Sequence, residues 1–392
     1  MLLDAVVKAD AYGHGAAGVA SWLEARGAVD GLCVATVDEG LELRRAGIRL
    51  PILVLYAVPA GRAIAAAAAS LALTIGEPAL LEETIAALRD GDALDPEHPV
   101  DVQLEIETGL GRAGVDPGAA PAMVDRIRSV AGLRLTGVWS HLAAPGDVER
   151  SDAQRAGFER AMDAVGATGV GLASTHLRHL AATGGLLAST VPSYDRVRLG
   201  LGLYGLFPDG LEPAGPGIEA SNGIRPVMGL SARPIRVAEL AAGAGVSYGP
   251  TFVTRRPSRI ATLPIGYGDG WPRSLSNRAG AIVRGARVPL VGNVAMDAVM
   301  ADVTDVPGRP VDLDDVFVLL GEAPATTAAE LAQLRTAISW EVVTAMARRI
   351  PRVYHAAAVP VGLRTLTEEV YPWLPESSSG TATSAISRST RA

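Results

Sequence analysis

The chain has 392 residues, 48% of them hydrophobic and 20% charged, which is enough apolar material for two cores. A net charge of −7 with no basic block argues against nucleic acid as a partner. The one cysteine, Cys33, excludes an intrachain disulfide framework, while Asp4, Lys8 and Asp10 break up any apolar leader, so the composition points to a cytoplasmic protein with no membrane segment.

The first apolar run, Ala5–Lys8, reads as a strand that ends on a lysine. It is the only lysine among the 35 basic residues. A guanidinium stays charged in proteins and cannot serve as a neutral amine, so a lone lysine in an arginine-rich chain points to amine chemistry at that position. A glycine-punctuated turn follows, Ala9-Asp10-Ala11-Tyr12-Gly13-His14-Gly15. Further apolar runs at Leu32–Ala35, Ile52–Tyr56, Leu71–Thr74, Val100–Ile106, Leu135–Ser140, Ser174–His179 and Arg196–Leu199 read as strands. Helical patterns such as Ala16–Arg26, Val37–Ala46 and Pro78–Arg89 lie between them. Thr36 and Glu39 stand in capping-box spacing before the second of these, and Gly47 closes it. Eight strands alternating with helices imply a TIM-like (β/α)8 barrel over residues 1–215, whose chemistry gathers on the loops after the strands. A doubly wound open sheet is the alternative, and the Gly13-His14-Gly15 turn fits its phosphate-binding loop poorly.

Phe207–Gly223 reads as a linker. Beyond it, residues 216–372 carry short strands (Val227–Val237, Arg259–Pro264, Ala281–Val283, Val288–Val291, Val316–Leu319) and two helical stretches, Thr326–Arg335 and Trp340–Arg348. This pattern suggests a smaller, mainly β domain. Residues 373–392 are too polar to fold, and we expect a disordered tail.

The run AVVKADAYGHGA resembles the lysine motif of alanine racemases, a fold-type III family dependent on pyridoxal 5'-phosphate (PLP), and further matches extend to Arg352. The resemblance implies a racemase that interconverts L- and D-alanine by a two-base mechanism and supplies D-alanine for the cell wall. In that reading Lys8 is the Schiff-base lysine and the base for one face, and Tyr12 bonds the phosphate. Arg112, in Glu105-Ile106-Glu107-Thr108-Gly109-Leu110-Gly111-Arg112, orients cofactor and substrate carboxylate. Relatives often have a lysine at the Glu105 position, in some carbamylated, and Glu105 is expected to replace that anion. His141 relays between the pyridine-nitrogen arginine, Arg198, and the second base. An arginine there leaves the ring nitrogen unprotonated, because a guanidinium accepts no proton. Thr183, with the backbone of Gly200 and Leu201, completes the phosphate cup, whereas Ala182 replaces a common asparagine.

The segment Val246-Ser247-Tyr248-Gly249 resembles the one bearing the second base, Tyr248, which relatives contribute from a partner subunit. Gly266–Arg273 is close to the family's GYADGWPR run, where Tyr267 lines the substrate entrance, and Met296 offers its N–H to the substrate carboxylate. Arg348 stands where relatives commonly have a tyrosine. The resemblance therefore implies a homodimer with composite active sites, and no metal. It also implies a longer stretch before the lysine than this chain carries. A decarboxylase of the same fold would want a carboxylate at Arg198 and a cysteine in the second domain. A single-domain PLP carrier would lack the Tyr248 and Gly266–Arg273 segments. A racemase of broader specificity that takes serine, and a decayed PLP-binding homologue, remain open.

Overall fold

Apolar runs flanked by helices are the pattern of parallel strands covered on both sides, and they assemble that way here. The computed structural model describes residues 1–167 and 177–373. Its first eight strands are β1 (Leu2–Val6), β2 (Gly31–Val34), β3 (Ile52–Ala57), β4 (Leu71–Ile75), β5 (Val100–Glu105), β6 (Leu133–Trp139), β7 (Leu177–His179) and β8 (Arg196–Leu199). They run parallel in the order β7-β6-β5-β4-β3-β2-β1-β8. β1 pairs with β8 from Leu2↔Arg196 to Ala5↔Leu199. The Asp195 N–H donates to the Arg178 carbonyl and the Arg198 N–H to that of Ala181, both at 3.1 Å, and these bonds bring the two ends of the sheet together into a TIM-like barrel. Residues 174–176 of the expected seventh strand, and the expected tail from residue 374 onward, lie outside the described residues.

Helices Ala16–Ala25, Val37–Arg45, Ala60–Ala68 and Pro78–Asp90 cover the outside of the first strands. Both halves of the Thr36–Glu39 capping box are formed. The first strand departs from expectation, ending at Val6 rather than Lys8. Ala9, Asp10, Ala11 and Tyr12 all have φ between 52° and 56°, a left-handed turn that a strand cannot continue through. Each such residue costs about 1–2 kcal/mol against the right-handed form, so the turn needs external support.

That support comes partly from the second domain. Its main sheet is antiparallel, ordered β10-β13-β16-β15-β14-β17-β9, and comprises β9 (Leu230–Ala232), β10 (Arg236–Leu240), β13 (Ser258–Leu263), β14 (Gly280–Val283), β15 (Ala286–Val291), β16 (Val299–Asp302) and β17 (Phe317–Leu320). A two-residue pair, β11 (Gly245–Val246) and β12 (Phe252–Val253), stands beside it. The expected strand Val227–Val237 is split at Pro234, which has no N–H to give a ladder. The last helix is Ser339–Thr344, shorter than expected. A final three-stranded sheet, β18 (Arg352–Ala356), β19 (Val359–Arg364) and β20 (Glu369–Val370), lies against the left-handed turn. Arg352 donates to the Gly13 carbonyl at 2.9 and 3.1 Å, Tyr354 Oη to that of His14 at 3.1 Å, and Arg364 Nη1 to Asp10 Oδ2 at 2.7 Å.

The expected linker is not a plain connection. Pro216–Ser221 forms a short helix opened by its proline, and the Asp209 carboxylate accepts from Ser339 N and Oγ at 2.7 and 2.6 Å.

Alternation along β8 points Arg196 and Arg198 the same way. Arg196 Nη1 reaches both oxygens of Asp4 at 2.8 and 2.7 Å, with Asp4 fully buried and Arg196 8% exposed. Breaking a buried pair leaves a stranded charge, so Arg196→Met should cost about 3–5 kcal/mol of unfolding free energy. Adding Asp4→Leu to that variant should recover much of the loss, as read from urea unfolding curves.

Candidate active site

A cavity of about 680 Å³ sits where the strands end, lined by Lys8, Tyr12, Tyr56, Arg112, His141, Thr183, Arg198, Gly200 and Leu201 among others. Eight of the expected site residues thus share one space within this chain. Pro208–Leu211 and Trp340 form another part of its wall, so the segment read as a linker borders the site.

Lys8 opens the left-handed turn at the end of β1. Burial lowers its amine below the ordinary lysine range, and the Arg112 charge lowers it further. Its Nζ lies 5.8 Å from the centre of the Tyr56 ring, and the Arg112 guanidinium lies 5.4 Å from the same ring. Tyr56 went unnoticed in sequence because it closes an apolar strand and reads as packing.

Arg112 is placed by two carboxylates. Glu105, 4% exposed, is its partner at 3.4 Å. Burial pushes the Glu105 carboxyl up, and Arg112 pulls it back. Glu107 accepts from the backbone N–H groups of Gly109, Leu110, Gly111 and Arg112. Although burial opposes it, those donors hold the Glu107 carboxyl below the usual range.

Arg198, 2% exposed, has no carboxylate in contact among the described residues. It donates to the Ser140 carbonyl at 2.7 Å and the His179 carbonyl at 3.2 Å, and faces Nδ1 of His179 at 2.5 Å and of His141 at 3.1 Å. Burial lowers it to about 10, still a cation at neutral pH. Burial and the Arg198 charge hold His141 down to about 3 and His179 well below its ordinary value. Both rings are therefore neutral, with Nδ1 accepting from the guanidinium. The Nε2–H of His179 then donates to Gln103 Oε1 at 2.8 Å. Sequence reading missed His179 and Gln103, which look like isolated polar residues inside strands.

On the opposite wall, Thr183 Oγ1 accepts from the N–H groups of Gly200 at 3.0 Å and Gly202 at 3.2 Å. Leu201 opens a short turn ending at Tyr204. A Cβ added at Gly200 would sit 3.0 Å from Tyr12 Oη, and one at Gly202 would sit 2.9 Å from Thr183 Cγ2, so a side chain at either position would crowd the two hydroxyl residues. Burial pushes Tyr12 up to about 12, so it stays a hydroxyl donor.

Three expected residues do not join this group. Tyr248, Tyr267 and Met296 are 75%, 44% and 53% exposed and lie outside the cavity lining. They are held near one another: Asn293 Nδ2 donates to the Tyr248 carbonyl at 2.8 Å, the Tyr267 N–H to Ala295 O at 3.0 Å, and the Gly268 N–H to Met296 O at 2.9 Å. Arg348 pairs with Glu42 away from the cavity lining.

The chain matches the family models for the N-terminal domain of alanine racemase over residues 3–208 and for its C-terminal domain over residues 227–354. It is 38% identical to an alanine racemase of Nostoc sp. over 361 residues, which cover 90% of this chain and 88% of the relative. It is 39% identical over 358 residues to one from Symbiobacterium thermophilum, covering 90% of each. Among solved structures, an alanine racemase of Clostridium difficile superposes with a TM-score of 0.83 at 26% identity, over 93% of this chain and 92% of that one.

The buried neutral imidazoles make stability depend on pH. His14 is held down to about 4 by burial and His141 to about 3, against 6.5 in the unfolded chain. Below pH 6.5 the unfolded state binds the extra protons. The stability present above that value is then lost as pH falls toward 4 and 3, at roughly 1.4 kcal/mol per pH unit for each ring. Urea midpoints of the cofactor-free protein at pH 7 and pH 5 check this; equal midpoints would contradict it.

Proposed function

The chain belongs to the alanine racemase family and is a racemase, an isomerase that interconverts the two hands of alanine, and we propose that Lys8 and Tyr248 are its two bases. What carries this reading is the only lysine of the chain, its amine lowered by burial, in one cavity with an arginine that two neutral imidazoles accept from.

The residues fit PLP. They offer one amine, a buried guanidinium with no carboxylate against it, a hollow at Gly200 and Gly202 where an added Cβ would crowd Tyr12 and Thr183, and the hydroxyls of those two residues beside it. When bound, PLP supplies an electron sink that makes the Cα proton of an amino acid removable. Tyr12, Thr183, Gly200 and Leu201 hold the phosphate end. Arg198, whose guanidinium cannot accept a proton, would meet the ring nitrogen and leave it unprotonated, while His141 and His179 fix the guanidinium. Arg112 orients the substrate carboxylate, with Glu105 supplying the anion behind it. The Lys8 amine takes or returns a proton at Cα on one face.

The other face needs a second base. Tyr248, Tyr267 and Met296 are exposed together on the second domain, and in our reading they enter the cavity of a second copy. The enzyme then works as a two-fold homodimer with two composite sites. Tyr248 supplies the second base, Met296 N–H the carboxylate contact, and Tyr267 the wall of the entrance. Among the described residues no helix is long and apolar enough to cross a membrane, and we place the reaction in the cytoplasm.

Exchange of the Cα hydrogen of L- and D-alanine in D2O tests this, with protein supplied with PLP. Wild type should exchange both and invert them. Lys8→Arg and Tyr248→Phe should each lose inversion by about 10²–10⁴-fold, and mixing the two variants should restore part of it through hybrid dimers. Full inversion by Lys8→Arg would overturn the assignment. The same assay with L-serine ranks that substrate.

Glu105→Gln removes the charge behind Arg112. We expect kcat/KM to fall by about 10–100-fold, the loss of one charge-assisted hydrogen bond, and added bicarbonate to leave the wild-type rate unchanged. Full activity in the variant would remove Glu105 from the mechanism.

A further inference from the structure

The Lys8 side chain projects from a left-handed turn, and one carboxylate outside the cavity lining holds that turn where it leaves the strand. Glu39 Oε1 accepts from the N–H of Ala9, the residue directly after Lys8, at 2.7 Å. Glu39 Oε2 accepts from Ala35 N at 2.7 Å and Thr36 N at 3.2 Å, while Thr36 Oγ1 accepts from Glu39 N at 3.3 Å. A capping box needs only the reciprocal pair between Thr36 and Glu39. The bonds from Ala35 and Ala9 are additional, and the second of them reaches across to another strand end.

We propose that Glu39 is a positioning residue for Lys8: its carboxylate fastens the backbone behind the lysine to the end of β2 and the helix Val37–Arg45, and so fixes the point from which the amine projects. The inference rests on reading Lys8 as the reactive amine. Geometry favours it because Ala9 has φ +52°, a conformation an alanine holds only under constraint. The last ladder bond of β1 is from Val7 N to Cys33 O at 2.9 Å, so Ala9 N–H lies beyond the sheet and needs another acceptor.

Charge adds a second consequence. Arg112 and Arg198 favour the neutral amine, and Tyr56 presents its ring to it. Cys33 is a buried thiol pushed up by that burial, and therefore uncharged. Glu39 is the carboxylate among these neighbours that favours the ammonium form. Removing its charge should therefore move the titration of Lys8 downward, while removing its hydrogen bond should slow the amine even when fully neutral.

The experiment is reductive attachment of PLP to Lys8 with borohydride, followed across pH by mass of the labelled peptide, on the full chain and three variants. Thr36→Ala loses the helix cap alone and should melt earlier yet keep the wild-type pH curve and plateau. Glu39→Gln should shift the curve down by about one pH unit and lower the plateau rate roughly tenfold. Glu39→Asp keeps the charge but falls one methylene short, so it should restore the midpoint and not the plateau. A Glu39→Gln curve that superimposes on wild type, or on Thr36→Ala, overturns the proposal. No label at Lys8 in wild type would instead sink the reading of Lys8 itself, and this inference with it.

Discussion

Everything at the site depends on four consecutive residues held in the wrong hand. Ala9–Tyr12 turn left-handed directly after Lys8, and only that turn lets the amine and the Tyr12 hydroxyl face one cavity from adjacent stretches of chain. Such a turn does not persist by itself. It is tied on one side by Glu39, and Asp10 Oδ1 accepts from Ala16 N at 2.9 Å where the next helix starts. On the other side it is tied by Arg352, Tyr354 and Arg364 from the last sheet of the second domain. Strain at the lysine and the contact between domains are therefore two aspects of one arrangement.

The second organising constraint is a guanidinium buried without a carboxylate partner. Arg198 is solvated by neutral acceptors, two imidazole nitrogens and two carbonyls. A carboxylate there would neutralise it and stabilise the pair, but it would also cancel the positive field of the cavity. Asp4, the fully buried carboxylate of β1, is already matched by Arg196. The unbalanced cation is tolerated because both terminal nitrogens of the guanidinium are met by acceptors, and the cost falls on the histidines, which cannot charge.

The barrel was legible because its signal is repetitive: apolar runs of strand length recur between helical stretches, and errors at one boundary do not disturb the rest. Lys8 was legible as the one lysine, while Arg112, His141, Thr183 and Arg198 were found through the resemblance of their segments; the structure brings all five to the one cavity where the barrel strands end. What escaped was non-local. Glu39 was visible as a helix cap, but nothing in the spacing says that its other oxygen reaches Ala9, 30 residues earlier. Gln103 and His179 lie 76 positions apart and meet only when β5 and β7 flank the same interior. Asp4 looked merely like a charge that spoils a leader, because its partner Arg196 comes 192 residues later. The connection between the two halves was legible, but glycine- and proline-rich composition cannot distinguish an exposed connection from one pinned by Asp209 against a helix end. Tyr248, Tyr267 and Met296 were found through motif alone, and a single chain leaves them facing outward.

The bond between Asp10 and Arg364 spans 354 residues. On a ribosome adding about 5–20 residues per second, the lysine turn emerges on the order of tens of seconds before the sheet that clamps it. During that interval the barrel strands can pair, but the turn has only its local carboxylates to hold its hand. Contacts this far apart in sequence also close slowly once the chain is free. The reactive corner of the molecule is thus made early and finished late, and binding competence arrives only when the distal sheet docks.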